Sequence, residues 1–303
     1  MGILVVGSVA LDTVETPFGK ITEGLGGSAT HFSMSASYHT NVSMVAVVGE
    51  DFPEAHLQLL KSRDIDIKGI QKVPGKTFRW SGRYDYDLNN AQTLQTDLNV
   101  FESFKPQISA DLKNPDFLFL ANIDPVLQLS VIEQVSKPKL IALDTMNFWI
   151  QGKKDDLLKT IKKIDLITIN EGEARLLTGE SSLLKAARKV QAMGPKTIVI
   201  KQGEYGALLF HEGHVFSAPG LPLEDVKDPT GAGDSFAGGF MGHISKVGKV
   251  DLATLKQAVI LGSVMASFNV EQFSCDRLKS LTKEDIQERF KLFVALSQFE
   301  STY

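Results

Sequence analysis

Short apolar runs alternate with helix-periodic segments along most of this 303-residue sequence. Buried strands are predicted where the runs lie, at residues 3–7, 43–48, 117–121, 140–143, 166–169 and 197–200. Helices are predicted at residues 28–39, 53–62, 126–136, 154–163, 182–193, 235–247, 252–268 and 283–297. Apolar runs without a polar face, such as Leu140 to Leu143, are typical of parallel strands that helices cover on both sides. The sequence therefore predicts an α/β fold with a largely parallel sheet.

Two segments depart from this alternation. Residues 206–210 and 214–218 predict a hairpin. Residues 77–87 predict a strand with one polar face and one aromatic face, the latter formed by Phe78, Trp80, Gly82, Tyr84 and Tyr86. With residues 92–101 and 18–22 this strand predicts a small antiparallel sheet. Its aromatic face requires a cover, which is substrate, the main domain or a second subunit, unless the segment is an edge hairpin packed on its own domain.

The composition restricts the classes of function. Lys and Arg number 32 against 36 for Asp and Glu, and the pI is near 5.9, so the chain has no overall attraction for nucleic acid or an anionic membrane. Cys275 is the single cysteine, which excludes an internal disulfide and a thiolate-rich metal site and fits a reducing compartment. No apolar stretch approaches the roughly 20 residues of a membrane span. We expect a cytoplasmic protein without nucleic-acid or membrane partners.

Small residues precede a predicted helix in the run from Asp228 to Ser235. Gly231, Ala232 and Gly233 place unpaired N–H groups and the positive end of the helix dipole where they can hold an anionic oxygen. Asp234 follows at once, and a carboxylate next to a bound anion is useful as a base for an attacking hydroxyl. The alternative is that Asp228 or Asp234 simply caps the helix.

Polar residues also follow successive predicted strands. They are Asn122, Asp124, Asp144, Asn147, Asn170, Glu171, Glu173, Lys201 and Gln202. Ligands of an open parallel sheet bind outside the carboxyl ends of its strands, so we expect these side chains to converge on one crevice. The spacing of Asn170 and Glu173 equally fits a helix capping box, and one arrangement can serve both purposes.

The run from Asp228 to Ser235, extended through Gly238 to Met241, resembles the signature of the ribokinase-like (PfkB) carbohydrate kinase family. The resemblance implies transfer of the γ-phosphoryl group of ATP to a hydroxyl, with Asp234 as base and the amides of Gly231, Ala232 and Gly233 as anion hole. It also implies a single domain over residues 1–303 with three α/β/α layers. In this family a β lid, here residues 13–24 and 77–101, covers the sugar and often pairs between subunits, which suggests a homodimer.

The resemblance extends to the nucleotide side. Asn170 and Glu173 are similar to the family motif whose Glu positions Mg²⁺ and phosphates through water. The other positions implied to lie beside ATP are Lys201, Gly203, Gly206, Thr230 and, near adenine, Asn269. Asp228 and Thr230 resemble positions that line a monovalent-cation site in some relatives, and this implies activation by K⁺.

On the acceptor side, Asp12 and the turn at Gly26 and Gly27 resemble the sugar-binding elements of the family, and we group Asn122 with them. His31 stands where the family usually has Asn, so the hydroxyl pattern that it reads is expected to differ. Family members act on free sugars and on nucleosides. The aromatic residues of the implied lid could stack on a base, so the sequence leaves the acceptor open between the two.

Other interpretations are weaker. Gly24-x-Gly26-x-x-Ala29 matches the dinucleotide fingerprint but lacks the preceding buried strand. His211 and His214 lie in a predicted turn with no helix to align them on a metal. Two rivals stay open: a kinase of a vitamin-like hydroxymethyl compound, which would depend less on Asp12, and a catalytically idle sugar- or nucleotide-binding regulatory protein.

Overall fold

The protein is described by a computed structural model over residues 2–88, 91–298 and 300. Its strands are β1 (Gly2–Val6), β2 (Ala10–Thr16), β3 (Gly19–Gly26), β4 (Asn41–Gly49), β5 (Ile65–Val73), β6 (Arg79–Tyr84), β7 (Ala91–Asp97), β8 (Phe117–Leu120), β9 (Leu140–Asp144), β10 (Leu166–Asn170), β11 (Thr197–Lys201), β12 (Ala207–His211) and β13 (His214–Ala218). Its α-helices are α1 (Ser28–Ala36), α2 (Glu54–Ser62), α3 (Pro125–Gln134), α4 (Asn147–Gly152), α5 (Lys154–Ile161), α6 (Glu171–Thr178), α7 (Leu183–Met193), α8 (Ala232–Val247), α9 (Leu252–Asn269), α10 (Asp276–Lys279) and α11 (Lys283–Ser297).

The main sheet contains nine strands within the described residues, in the order β13-β12-β11-β10-β9-β8-β1-β4-β5. Its strands are parallel from β11 to β5, whereas β12 and β13 add an antiparallel edge. Apolar side chains on its two faces form two cores, one beneath α1, α8 and α9 and the other beneath α3, α5, α6 and α7. The predicted three-layer α/β/α fold is confirmed.

The sequence patterns missed some elements for identifiable reasons. The edge strand β5 carries Asp66, Lys68 and Lys72 and therefore has no continuous apolar run. The short helix α4 is mostly solvent-facing, and α6 had been recognised only through its cap. Helix α8 begins at Ala232, three residues earlier than predicted, because its first turn is built from small residues without apolar periodicity.

The second sheet has the order β3-β2-β6-β7 within the described residues. Its outer pairs are antiparallel, as predicted, whereas the central pair β2 and β6 is parallel, which the sequence did not predict. Both strands follow parallel strands of the main sheet, β1 and β5, and they leave its carboxyl edge in the same direction. The single-domain boundary, the lid function and the homodimer stay predictions.

The predicted aromatic face of residues 77–87 is divided in the structure. Phe78 stacks on Phe101, with 5.2 Å between the ring centroids. Trp80 lies across Gly82, where an added Cβ would be 2.2 Å from the indole ring. Tyr84 reaches the main domain, and Tyr86 is 80% exposed beyond the end of β6. Asn89 and Asn90, within the predicted lid, lie outside the described residues.

Glycines let helix α8 lie close to its neighbours. A Cβ at Gly238 would be 2.3 Å from the carbonyl oxygen of Phe32 in α1, and one at Gly239 would be 2.7 Å from the carbonyl oxygen of Leu261 in α9. Both contacts are shorter than van der Waals packing allows, so only glycine permits this approach. The close packing sets the position of α8 against α1 and α9. No helix in the described part of the chain has the length and apolar character needed to cross a membrane.

We predict that Gly238→Ala lowers the free energy of unfolding by about 1 to 3 kcal/mol, because the added methyl group forces α1 and α8 apart. Denaturant unfolding followed by circular dichroism measures the change. Gly152→Ala in α4 is the matched control, since a Cβ there meets nothing within 4 Å. Equal stability of the two variants would contradict this account of the packing.

Candidate active site

The strand order divides the carboxyl edge of the main sheet into two sides. Asn122 follows β8, next to β1 and the turn that opens α1. Asn170 and Lys201 end the neighbouring strands β10 and β11. The first turn of α8 lies between these sides, because Gly231 packs on His31 while Gly233 packs on Lys201. Asn170 and Lys201 thus lie side by side, whereas Asn122 lies on the other side of this turn, and the predicted binding crevice stays a prediction.

The first turn of α8 is held open by a left-handed residue. Gly231 has φ 74°, and a Cβ there would lie 2.3 Å from the His31 ring. Ser235 N–H donates to the Gly231 carbonyl at 2.8 Å, and Ala232 N–H donates to Pro229 at 3.1 Å. The N–H groups of Gly233 and Asp234 belong to the first turn, which intrahelical carbonyls cannot reach. The anion hole predicted from Gly231, Ala232 and Gly233 is therefore changed: the Ala232 amide is taken up by the Pro229 carbonyl, and the Gly233 amide is left open together with that of Asp234.

A buried ion pair lies beside this turn. Lys201 Nζ donates to Asp144 Oδ2 at 2.7 Å and is 3.0 Å from the Cβ position of Gly233. Asp144 also accepts hydrogen bonds from the Thr168 hydroxyl at 2.9 Å and from the Thr145 amide at 2.8 Å. Sequence reasoning placed Asp144 at a strand end but gave it no partner. The pairing depends on β9 and β11 flanking β10, which the chain order alone does not specify.

Glu173 and Asp234 share the environment of Lys201. The Asn170–Glu173 capping box is present, with both hydrogen bonds at 2.8 Å. Burial raises the pKa of Glu173 to about 7, with Asp144 adding to the effect and Lys201 opposing it. Burial and the Asp144 charge likewise raise the pKa of Asp234 to about 7 against the influence of Lys201. Both carboxyls therefore exchange protons near neutral pH.

The Lys201 ammonium responds in the opposite way. Burial alone would lower the pKa of Lys201, but the charges of Asp144 and Glu173 raise it above its ordinary value. Lys201 is thus a fixed positive charge beside the amides of α8. A cation and unpaired N–H groups at one point form an anion site of the kind that phosphate groups occupy.

Asn269 lies beneath the turn and is 1% exposed. Its Nδ2 donates to the Thr230 carbonyl at 2.8 Å, and its Oδ1 accepts from the Ser235 hydroxyl at 3.0 Å. Oδ1 is also 3.1 Å from His31 Nδ1. The interpretation of Asn269 as an adenine contact is therefore corrected, because its amide group is taken up by the protein. Through these hydrogen bonds Asn269 stabilises the turn that carries the anion hole.

His31 is buried in the same network. Its ring is 2% exposed, and Nδ1 lies 3.6 Å from Cys275 Sγ in addition to its contact with Asn269. Burial lowers the pKa of His31, against the influence of Asp228 and the hydrogen bond with Asn269. These contacts describe a neutral imidazole ring that packs against Gly231. Its predicted role in reading acceptor hydroxyls stays a prediction.

Asp228 anchors the chain just before the turn. Its carboxylate is fully buried and accepts hydrogen bonds from the amides of Thr230 at 2.9 Å and Ser274 at 3.1 Å. The Thr230 hydroxyl is 3.3 Å from the Tyr84 hydroxyl of β6, so the second sheet touches the turn directly. Burial raises the pKa of Tyr84 to about 12, and its phenol stays protonated at neutral pH.

The acceptor side is built around Asp12. A Cβ at Gly26 would lie 2.0 Å from Asp12 Oδ2, so Gly26 makes room for this carboxylate. Burial raises the pKa of Asp12 to about 7; the Gly27 amide opposes this, whereas the Asp228 and Asp234 charges increase it. Asp12 is therefore close enough to Asp234 to be influenced by its charge. The predicted grouping of Asp12, Gly26 and Gly27 is present.

Asn122 joins this turn to helix α4. Its carbonyl lies 3.4 Å from the Ser28 hydroxyl, and its side chain accepts a hydrogen bond from Trp149 Nε1 at 3.0 Å. Its Nδ2 is 3.1 Å from Met146 Sδ. The half-buried Asn122 is thus oriented by α4, which the sequence patterns had not identified as a helix.

A cavity of about 610 Å³ opens on the other side of the α8 turn. Its lining includes Lys201, Gly203, Gly206, Ala232 and Gly233, five residues predicted at the nucleotide site or the anion hole. The rest of its wall comes from Asp87, Leu88, Glu204, Tyr205, Gly220, Leu221, Pro222, Leu223, Val226, Pro229, Phe236, Ser263, Ala266, Ser267 and Val270. An apolar chamber that ends at a cation and helix amides has the features of a nucleoside triphosphate site.

Gly206 shapes the rim of this cavity. It has φ 99°, and a Cβ there would lie 2.1 Å from the Ala218 carbonyl oxygen. Only glycine lets the chain turn so tightly between β11 and β12. The turn from Gly203 to Gly206 thereby leaves space against the first turn of α8.

A family model described as "pfkB family carbohydrate kinase" matches residues 3–281. The chain belongs to the PfkB family. The cytidine kinase of Thermococcus kodakarensis is 32% identical over 253 residues, which is 81% of this chain and 89% of that protein. The 2-dehydro-3-deoxygluconokinase of Thermoproteus tenax is 33% identical over 260 residues, covering 78% of this chain and 79% of that protein.

Solved structures agree with the fold of this PfkB protein. The nucleoside kinase of Methanocaldococcus jannaschii, described as an archaeal member of the ribokinase family, superposes with a TM-score of 0.76 at 22% identity, covering 96% of this chain and 99% of that one. The ribokinase of Thermotoga maritima gives a TM-score of 0.76 at 21% identity, with coverage of 96% and 99%. Family membership confirms the predicted kinase activity, and ATP is the phosphoryl donor expected in this family.

We predict that Asp234→Asn stabilises the ligand-free protein at pH 8 by up to about 4 kcal/mol. The pKa of Asp234 rises from 3.8 to about 7 on folding, so the folded state binds more protons between these values and loses stability as pH rises through them. The amide removes this loss, and the difference from wild type should vanish below about pH 4.

Denaturant unfolding at pH 4 and pH 8 without nucleotide measures the effect. Asp155→Asn is the matched control, since Asp155 lies in the first turn of α5 and is exposed. A pH-independent difference between Asp234→Asn and wild type would refute the electrostatic explanation.

Proposed function

We propose that this enzyme transfers the γ-phosphoryl group of ATP to a hydroxyl of a small sugar or a nucleoside, with Asp234 as the base. The observation that supports this most strongly is the position of Asp234 at an open helix start beside a buried cation. The names of similar proteins, among them the cytidine kinase and an inositol 3-kinase of Arabidopsis thaliana, agree with a polyol acceptor.

The chemistry follows from the positions of the groups. The acceptor oxygen attacks the γ-phosphorus, the bond to the bridging oxygen of ADP breaks, and the hydroxyl proton goes to Asp234. The raised pKa of Asp234, about 7, lies close to working pH, where a general base is effective. The amides of Gly233 and Asp234 and the Lys201 ammonium stabilise negative charge on the transferred oxygens.

The donor set near Lys201 fits Mg²⁺ held mainly through water. Glu173 and Asp144 are carboxylates at this point, but Asp144 is engaged by Lys201 and Thr168, and no three-ligand cluster occurs among the described residues. Mg²⁺ usually binds through one or two carboxylates, waters and substrate phosphates. Glu173 would hold it in this way, and the ion would offset the charge of the phosphate oxygens.

Asp12 supports acceptor binding. A carboxylate in a glycine-lined pocket accepts hydrogen bonds from vicinal hydroxyls and rejects compounds that lack them, because its oxygens would remain unpaired. An acceptor that offers only a hydroxymethyl group would not need it. Hydrogen bonds donated by the hydroxyls of an acceptor would lower the pKa of Asp12 from about 7 and favour its charged form.

We predict that Asp234→Asn lowers kcat by about 100- to 10,000-fold and leaves the affinity for ATP within a few-fold, because a base is lost without a change in nucleotide contacts. ADP release measured with a panel of sugars and nucleosides gives kcat, and equilibrium binding gives the nucleotide affinity. If the variant turns over near the wild-type rate, Asp234 is not the base. If the wild-type protein turns over none of the acceptors, the result favours a catalytically idle regulatory protein.

We predict that Asp12→Ala raises KM for a polyol acceptor at least tenfold, at about 1.4 kcal/mol per factor of ten, while KM for ATP is unchanged. Steady-state kinetics with each substrate varied in turn checks this. A variant that keeps the wild-type KM for its acceptor would favour a hydroxymethyl acceptor instead.

Activation by K⁺ stays a prediction. The buried Asp228 carboxylate already accepts two amide hydrogen bonds, and these give it a structural role at the turn whether or not a cation binds. We expect faster turnover in K⁺ than in Na⁺ at equal ionic strength. Equal rates in the two salts would leave Asp228 with the structural role alone.

A further inference from the structure

Helix α4 exposes an apolar surface next to the acceptor side, here called the α4 shelf and formed by Met146, Phe148 and Trp149. Met146 is 39% exposed and Phe148 is 62% exposed. Phe148 and Trp149 meet edge to face, with 4.8 Å between ring centroids and an interplanar angle of 80°. Exposed apolar side chains that lie together beside a pocket are candidates for contact with a ligand.

The α4 shelf is continuous with the acceptor pocket. Trp149 and Met146 both contact the side chain of Asn122, at 3.0 Å and 3.1 Å. The backbone of Asn122 in turn meets Ser28, which directly follows Gly27 of the Asp12 pocket. A molecule held at Asp12 and extending along the sheet edge past Asn122 therefore arrives at the shelf.

The orientation of Asn122 favours a polar ring as the occupant. Trp149 Nε1 can only donate, so the atom of Asn122 that faces it is the carbonyl oxygen. The amide NH₂ has two protons, and its neighbour Met146 Sδ is a weak acceptor that accounts for one of them. Asn122 thus offers an N–H donor beside an apolar surface, which is the combination that a heterocyclic base requires.

Three aromatic residues at the second sheet are engaged in other contacts, whereas Tyr86 is 80% exposed and lies 6.1 Å from Phe18 between ring centroids. Phe78 stacks on Phe101, and Trp80 covers Gly82 while its Nε1 donates to Thr93. The Tyr84 hydroxyl contacts Thr230. These contacts favour the α4 shelf over the second sheet as the surface for a base.

We propose that the α4 shelf binds the nucleobase of the acceptor and that the acceptor is therefore a nucleoside. This inference rests on the proposed function and specifies its substrate class. The sugar lies at Asp12, and the base stacks on Met146 and the aromatic rings and accepts a hydrogen bond from Asn122. Stacking and the added hydrogen bond make a nucleoside a better substrate than the corresponding free sugar.

The first test compares a shelf variant with a matched control. In Met146→Ala/Phe148→Ala two exposed side chains are shortened, and Leu292→Ala/Val294→Ala does the same on α11, where both are also exposed. Cytidine, uridine, adenosine, inosine and ribose are assayed by ADP release. We expect the shelf variant to lower kcat/KM for the preferred nucleoside about 10- to 100-fold through KM, to leave ribose within twofold, and the control to change neither.

The second test uses the two tryptophans, Trp80 and Trp149. Trp80→Phe leaves Trp149 as the only indole, and Trp149→Phe leaves Trp80, so each variant reports on one of the two surfaces. We expect the preferred nucleoside to quench the fluorescence of Trp149 in the first variant and ribose to have little effect. Quenching confined to Trp80 would place the base on the second sheet and overturn the proposal.

Two further outcomes would overturn it. If the wild-type protein phosphorylates ribose but none of the nucleosides, the α4 shelf is not a binding site for a base. The proposed kinase mechanism would be unaffected by this result. A shelf variant that loses turnover of every acceptor equally, or that changes the oligomeric state measured by light scattering, would assign α4 to structure or to a subunit interface. Failure of Asp234→Asn to reduce turnover would instead defeat the mechanism itself.

Discussion

The site depends on the first turn of α8. Its amides of Gly233 and Asp234 can bind a ligand, while hydrogen bonds inside the protein hold the turn in place. Asn269 joins the Thr230 carbonyl to the Ser235 hydroxyl, so both ends of the turn are tied to the last residue of α9. Asp228 holds the preceding residues through two amide hydrogen bonds. Gly231 and the His31 ring fill the remaining space. The polar side chains of Asn269 and Asp228 are therefore engaged within the protein, whereas the amides of Gly233 and Asp234 are left for a ligand.

Negatively charged side chains outnumber positively charged ones in the crevice, where Asp144, Glu173 and Asp234 lie near Lys201. Burial, with the Asp144 charge adding to it, raises the pKa values of Glu173 and Asp234 to about 7. Phosphate oxygens would add further negative charge, so a divalent cation is the natural counterpart of the nucleotide. Burial of the Asp234 carboxyl group beside Lys201 lowers the free energy of unfolding. Active sites commonly hold functional groups in such unfavourable surroundings.

Local chemistry could be predicted from the sequence, and contacts that depend on strand order could not. The turn before α8, the capping box of Asn170 and Glu173 and the parallel strands are each encoded within a few neighbouring residues. The pair of Asp144 and Lys201 joins strands separated by a third, so no spacing in the chain reveals it. Asn269 was misplaced because the rotation of the last turn of α9 decides which way its amide points. The parallel pairing of β2 with β6 was missed because it follows from where both strands leave the main sheet.

That parallel pairing has a mechanical consequence. The chain enters the second sheet at two places far apart in sequence, just after β1 and just before β6, and Leu11 N–H donates to the Phe78 carbonyl there at 2.9 Å. Because β2 and β6 pair along their lengths, the four strands form one continuous sheet. Asp12 belongs to β2, so the position of its carboxyl group beside the acceptor pocket is set by the second sheet.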